Sequence, residues 1–176
     1  MSVAIFSVVS IAIYATFSSG LAVLRRVKNI DFVQQRILLK QERLSRELRE
    51  HPSCRKQLFQ GDKTKISFPA LVDYFPCRLT YYFDNSADTF MRVADKLDEI
   101  IDPDGKLNPE LHAEPVIFLP NVKEVKFSYL YLDLAKNVYL WADQWEQGSL
   151  SLPLAVKFII FTEKQNYEST VYLPRA

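Results

Sequence analysis

The sequence predicts an α+β protein: one long N-terminal helix packed on antiparallel β-sheet. Three observations carry that prediction. The opening run Ser2 to Leu24 has no charged residue and passes without a break into an amphipathic stretch that meets no proline until Pro52. Tyr and Phe are concentrated beyond residue 58, in short runs that alternate apolar and polar residues, the period of a half-buried strand. Turn chemistry such as Asp84-Asn85-Ser86 and Lys164-Gln165-Asn166 separates those runs.

Taken in order, residues 1–24 read as a transmembrane half of the helix. At roughly 1.5 Å per residue the run is about 34 Å long, enough for a bilayer core of about 30 Å. It does not look like a cleaved secretory signal, because no basic segment precedes it and no small-residue cleavage site follows it. Arg25, Arg26 and Lys28 follow directly, and counted alone they would place the downstream chain in the cytoplasm. Residues 25–51 read as an amphipathic stalk: Val27, Ile30, Val33, Ile37, Leu44 and Leu48 recur at helical spacings, with Arg36, Lys40, Glu42, Arg43, Arg46, Glu47, Arg49 and Glu50 on the other faces. The near-heptad seam Ile30, Ile37, Leu44, Leu48 suits packing on the protein's own sheet and on helices of other subunits.

Residues 52–176 form the β-rich head. The predicted strands are 64–68, closed by Pro69, then 78–84 and 89–94 as a hairpin, 114–119, 122–133, 137–142, and a last hairpin of 154–163 and 167–173. That makes seven or eight strands. Ser53 to Lys65 reads as a connecting loop, and a helical turn is expected near Lys96 to Ile100.

Chemistry is sparse. The net charge of +1 gives no reason to expect a nucleic-acid partner. There is no glycine-rich phosphate loop, no GxSxG and no HExxH, and nothing points to a cofactor or a small-molecule substrate. The two histidines, His51 and His112, stand at a helix end and in a proline-flanked loop, where a solvated surface role is the simpler reading. Asp98, Asp102 and Asp104 are weak calcium candidates, being oxygen-rich but off the EF-hand spacing. Cys54 and Cys77 fit either a disulfide, worth about 3 kcal/mol in the chain-entropy account, or two unpaired buried thiols.

An apolar helix running into an amphipathic stalk and a β-rich head resembles a type IV pilin-like protein. Ser2-Val-Ala-Ile-Phe-Ser7 is similar to the inner part of the prepilin N-terminal motif; on that alignment the cleavage glycine, the methylated Phe and the motif's Glu lie upstream of Met1. The match is closest to the J-type minor pseudopilin of type II secretion. Residues 41–50 (QERLSRELRE) resemble its stalk, 78–92 (RLTYYFDNSADTFMR) its hairpin, and 119–129 (LPNVKEVKFSY) its long strand. Trp145 with Leu152-Pro-Leu-Ala-Val-Lys-Phe158, and Val171-Tyr-Leu-Pro174, resemble its C-terminal elements. The resemblance implies a non-enzymatic subunit of the pseudopilus tip, a helix in the inner membrane, and a periplasmic head, because a basic prepilin leader would keep the N-terminus cytoplasmic. It implies assembly with I-, K- and H-type minor pseudopilins through the N-terminal helix, initiating pseudopilus assembly and supporting protein export. A minor pilin of a type IV pilus or competence system, and a single-pass anchored binding domain, are the alternatives.

Overall fold

A computed structural model describes residues 2–50, 58–101, 113–146 and 152–174. Helix α1 is Ser2–Arg49. Nine strands follow among the described residues: β1 Gln60–Gly61, β2 Lys65–Val72, β3 Phe75–Asp84, β4 Thr89–Lys96, β5 Val116–Pro120, β6 Glu124–Asp133, β7 Val138–Ala142, β8 Ala155–Phe161 and β9 Asn166–Tyr172. A four-residue helix α2, Leu97–Ile100, lies between β4 and β5. The chain divides into two compact units, Met1–Leu39 and Lys40–Ala176.

The strands build two antiparallel sheets, ordered β1-β2-β3-β4-β5 and β7-β6-β8-β9. Local chemistry sets the registers. Asp84 Oδ1 accepts hydrogen bonds from the Ser86 backbone N–H at 2.9 Å and the Ser86 hydroxyl at 2.6 Å, so the β3–β4 turn closes on an aspartate-anchored loop. Those bonds hold the Asp84 carboxyl below its ordinary value. From Asp84 opposite Thr89, the ladder then sets Tyr81 opposite Arg92 and Arg78 opposite Asp95. At the β2–β3 turn, Asp73 and Tyr74 both have positive φ, 51° and 70°, the two-residue geometry whose twist matches a hairpin.

An aromatic layer lies between the sheets. Phe68, Tyr81, Phe90 and Phe118 of the first sheet and Phe127, Tyr129 and Phe158 of the second are fully buried. Phe90 and Phe127 span the two sheets at 6.2 Å, and Phe59 meets Tyr129 edge-on at 6.4 Å. Each such ring contributes about 1.5–3 kcal/mol by burial, with about 0.5–1.5 more per well-oriented pair.

Three expectations are corrected. The α+β class with a pilin-like helix packed along the sheet gives way to a strand-dominated body of two antiparallel sheets, in which, among the described residues, the only helix wholly within the second unit is α2. Of α1, only Lys40–Arg49 belongs to the unit that contains the sheets. Among the described residues, no helix is long and apolar enough to cross a membrane, so the single-pass inner-membrane placement with a periplasmic head is withdrawn. Thr16, Ser18, Ser19 and Gly20 dilute the apolar run, and Arg25, Arg26 and Lys28 end it. The strand count among the described residues is nine, not seven or eight, because the loop assigned to Ser53–Lys65 contains β1; β2, expected to close at Pro69, continues through it to Val72. Proline is tolerated there since β1 pairs only with Ile66 and Ser67, leaving that side of β2 open at Pro69.

Candidate assembly surface

The last turns of α1 are fastened to both sheets. Leu44 and Leu48 have no exposed surface and Ser45 is buried. On the side of the second sheet, Gln41 Nε2 donates to the Glu168 carbonyl of β9 at 2.9 Å, and the hydroxyls of Ser45 and Ser169 lie 3.4 Å apart. On the side of the first sheet, the Lys40 ammonium sits 4.9 Å from the centre of the Phe118 ring in β5.

Glu47 makes the strongest attachment. Its Oε2 accepts a hydrogen bond from the Tyr81 hydroxyl, its Oε1 pairs with Arg92 at 3.1 Å, and Arg43, one turn earlier, donates to the same Oε1 at 3.0 Å. Arg92 Nε also donates to the Tyr81 hydroxyl at 3.1 Å, closing a ring of three groups drawn from α1, β3 and β4. Glu47 and Arg92 side chains are only 15% and 12% exposed. Burial, reinforced by the adjacent Glu47 charge, pushes the Tyr81 hydroxyl far above its ordinary pKa. Burial opposes the charge of Arg92, but Tyr81 and Glu47 outweigh it and hold the guanidinium above its usual value. This arrangement fastens the end of α1 to β3 and β4.

The upper part of α1 is different. Tyr14, Leu21, Phe32 and Leu39 are 76%, 40%, 68% and 72% exposed. At about 3.6 residues per turn, separations of seven and eleven return within about 20° of the same azimuth, so these four side chains share one stripe. Ile13, Phe17, Val33 and Leu38 are exposed beside them.

The predicted seam is divided by the structure. Ile37, Leu44 and Leu48 are buried, so Leu44 and Leu48 offer nothing to a partner helix; the Ile30 side chain lies outside the described residues. The exposed stripe was missed because Phe32 and Leu39 fall between seam positions, although their seven-residue spacing was readable. Of the calcium candidates, Asp98 lies in the first turn of α2, whereas Asp102 and Asp104 fall outside the described residues. Among the described residues no group of three or more His, Cys, Asp or Glu could hold a metal ion. Cys77 is a free thiol, 3% exposed, with its pKa raised by burial; Cys54, His51 and His112 lie outside the described residues.

Two further features escaped the sequence reading. Arg78 and Asp95 form a buried ion pair at 2.9 Å, and Asp95 also accepts the Ala113 N–H at 3.0 Å. A small cleft is lined by Gln60, Asp62, Lys65, Gln144, Trp145 and Glu146, beside the point where Gly61 and Trp145 exchange two backbone hydrogen bonds. Among the described residues, the buried Trp145 indole N–H has no hydrogen-bond partner there. No protein-family model matches the chain, and no curated protein matches it.

Proposed function

We propose that this chain is a non-enzymatic assembly subunit of the minor pseudopilin kind, joining I-, K- and H-type partners through α1 and helping to initiate a pseudopilus that supports protein export. The observation that carries the reading is the exposed stripe Tyr14, Leu21, Phe32, Leu39 on a helix whose last turns are locked to the sheets by Glu47, Gln41 and Leu48. An apolar helical stripe left in water costs about 25 cal/mol per Å² and is stabilised by burial against a matching helix. Side chains one and two turns apart supply the knobs such a partner would receive.

The experiment is site-directed disulfide trapping of the full chain carrying Phe32→Cys or Leu39→Cys, mixed with I- and K-type minor pseudopilins bearing single cysteines on their own helices. The proposal expects cross-links from both positions and loss of complex formation and export in Leu39→Glu, with the melting temperature unchanged. Absence of any cross-link, or full export by Leu39→Glu, refutes it.

A further inference from the structure

Two open sheets leave four edge strands, and an unpaired edge is a template for joining another strand. Three of the four are managed. The edge of β1 is closed by the segment around Trp145: Gly61 N–H donates to the Trp145 carbonyl at 2.9 Å and Trp145 N–H returns the bond at 2.8 Å. The edge of β9 is engaged by α1, through Gln41 on the Glu168 carbonyl and Ser45 beside Ser169. The edge of β5 is bracketed by Pro115 and Pro120, which have no N–H to offer.

The fourth edge, β7, has none of these devices. Its five residues, Val-Tyr-Leu-Trp-Ala, include no proline and no charge, and Val138, Tyr139 and Trp141 are 41%, 62% and 43% exposed. Among the described residues, no backbone group outside β6 bonds to it. We propose that β7 pairs antiparallel with β7 of a second copy of this chain, across a two-fold axis, to make one continuous eight-stranded sheet.

Self-complementarity argues for that occupant. A two-fold axis normal to the sheet keeps both outer faces on the same side and sets Leu140 opposite its own mate. Tyr139 then stands opposite Trp141 of the second copy, twice, and cross-strand aromatic pairs stabilise antiparallel sheets. The row Trp141, Leu130, Ala155, Tyr172, which crosses all four strands of the second sheet, would run on into the other copy. The Lys157 ammonium, on the neighbouring part of the same sheet, lies over the Trp141 ring at 4.8 Å from its centre. The flanks complement each other too. Lys136, in the turn entering β7, has a 73% exposed side chain and lies 3.8 Å from Asp133, and Asp143, just beyond β7, is 65% exposed and lies 3.9 Å from Lys63; both are long, exposed ion pairs that a charge on a neighbouring strand can share. Antiparallel pairing brings each Lys136 end against the Asp143 end of the other copy, whereas parallel pairing would set like charges together. A contact of this size falls in the weak, concentration-dependent class.

The test is sedimentation velocity of the full chain at low salt over about 5 to 500 µM, a range suited to weak pairing. Reversible dimerisation is expected. Asp143→Lys should weaken it by about tenfold or more, and Lys136→Asp combined with Asp143→Lys should restore it to within about threefold of the original chain. Thermal unfolding of each variant serves as the folding control. A monomer throughout the range, association that Asp143→Lys leaves unchanged, or failure of the double charge swap to restore pairing overturns the proposal. Self-association through α1 would be insensitive to Asp143, so the outcome is independent of the reading proposed above.

Discussion

Replacing Glu47 with alanine removes one carboxylate and strands two groups that face it. The Tyr81 hydroxyl, on a side chain with no exposed surface, loses its acceptor, and Arg92 loses the carboxylate that pairs with it at 3.1 Å. Removing one member of a buried pair typically costs about 3–5 kcal/mol, mostly for the charge left behind. Here Arg92 is 12% exposed and keeps the Tyr81 oxygen 3.1 Å from its Nε, so the cost falls to about 2–3 kcal/mol. For a chain of this length that is roughly 6–10 °C in melting temperature. Urea unfolding followed by near-ultraviolet circular dichroism would read it, with the m-value unchanged if the denatured state is unaffected. A double-mutant cycle with Arg92→Met should give a coupling of at least about 1 kcal/mol, since the groups share one network. Amide exchange over residues 40–49 should also rise selectively in Glu47→Ala. A loss below about 0.5 kcal/mol, or coupling indistinguishable from zero, would show that the helix end is held by Leu44 and Leu48 alone.

Other perturbations probe the rest of the body. Tyr81 and Tyr129 have pKa values raised chiefly by burial, so in the folded chain they stay protonated where an unfolded tyrosine ionises. Their stabilisation is complete below about pH 10 and is lost above it, at up to about 2.7 kcal/mol per pH unit if both remain neutral; urea midpoints from pH 9 to 11.5 would check this, and a flat profile would contradict it. Gly61→Ala should cost about 2–4 kcal/mol, because a Cβ would overlap the Tyr129 hydroxyl, stand 2.6 Å from its Cζ and lie 3.1 Å from the Lys65 carbonyl; the combination with Tyr129→Phe should recover part of that loss in the same unfolding assay. Cys77, free and buried, should react with a thiol reagent only as the chain unfolds, and reducing agent should leave the melting temperature of the body unchanged.

Strand identity was legible wherever alternation was strong and the two faces had different fates. Val125, Phe127 and Tyr129 are each fully buried, while Lys126 and Ser128 between them are half-buried. Alternation failed as a guide in β3, where five consecutive residues from Cys77 to Tyr81 are buried because both faces are covered. Alternation separates Arg78 from Leu79 and Tyr81 by face but gives no sign that it is buried too. Its partner could have been found from the turn: once Asp84-Asn85-Ser86 fixes the hairpin register, Arg78 falls opposite Asp95 and Tyr81 opposite Arg92. Strand β1 was hidden for another reason. Two residues carry no period, and Gly61 is required by the approach of the Tyr129 hydroxyl, a contact between distant parts of the chain.

The candidate surface shows the same division between local pattern and long-range context. Helical periodicity locates apolar positions on α1, but it cannot say which of them the protein uses for itself. Leu44 satisfied the seven-residue rule, Leu48 follows it one turn on, and both went to the chain's own core; Phe32 and Leu39 satisfy the rule as well and remain exposed. The polar residues decide between them. Gln41, Ser45 and Glu47 each find a partner on a strand, at β9 or at β3 and β4, so the last turns of the helix are specified by hydrogen bonds that tolerate only one seating. Around Phe32 and Leu39, Gln35, Arg36 and Leu38 are exposed as well, and the apolar stripe is left to whatever surface can match it. Polar matching fixes where this helix belongs to its own body, and the apolar surface it leaves over is where selection for a partner can act.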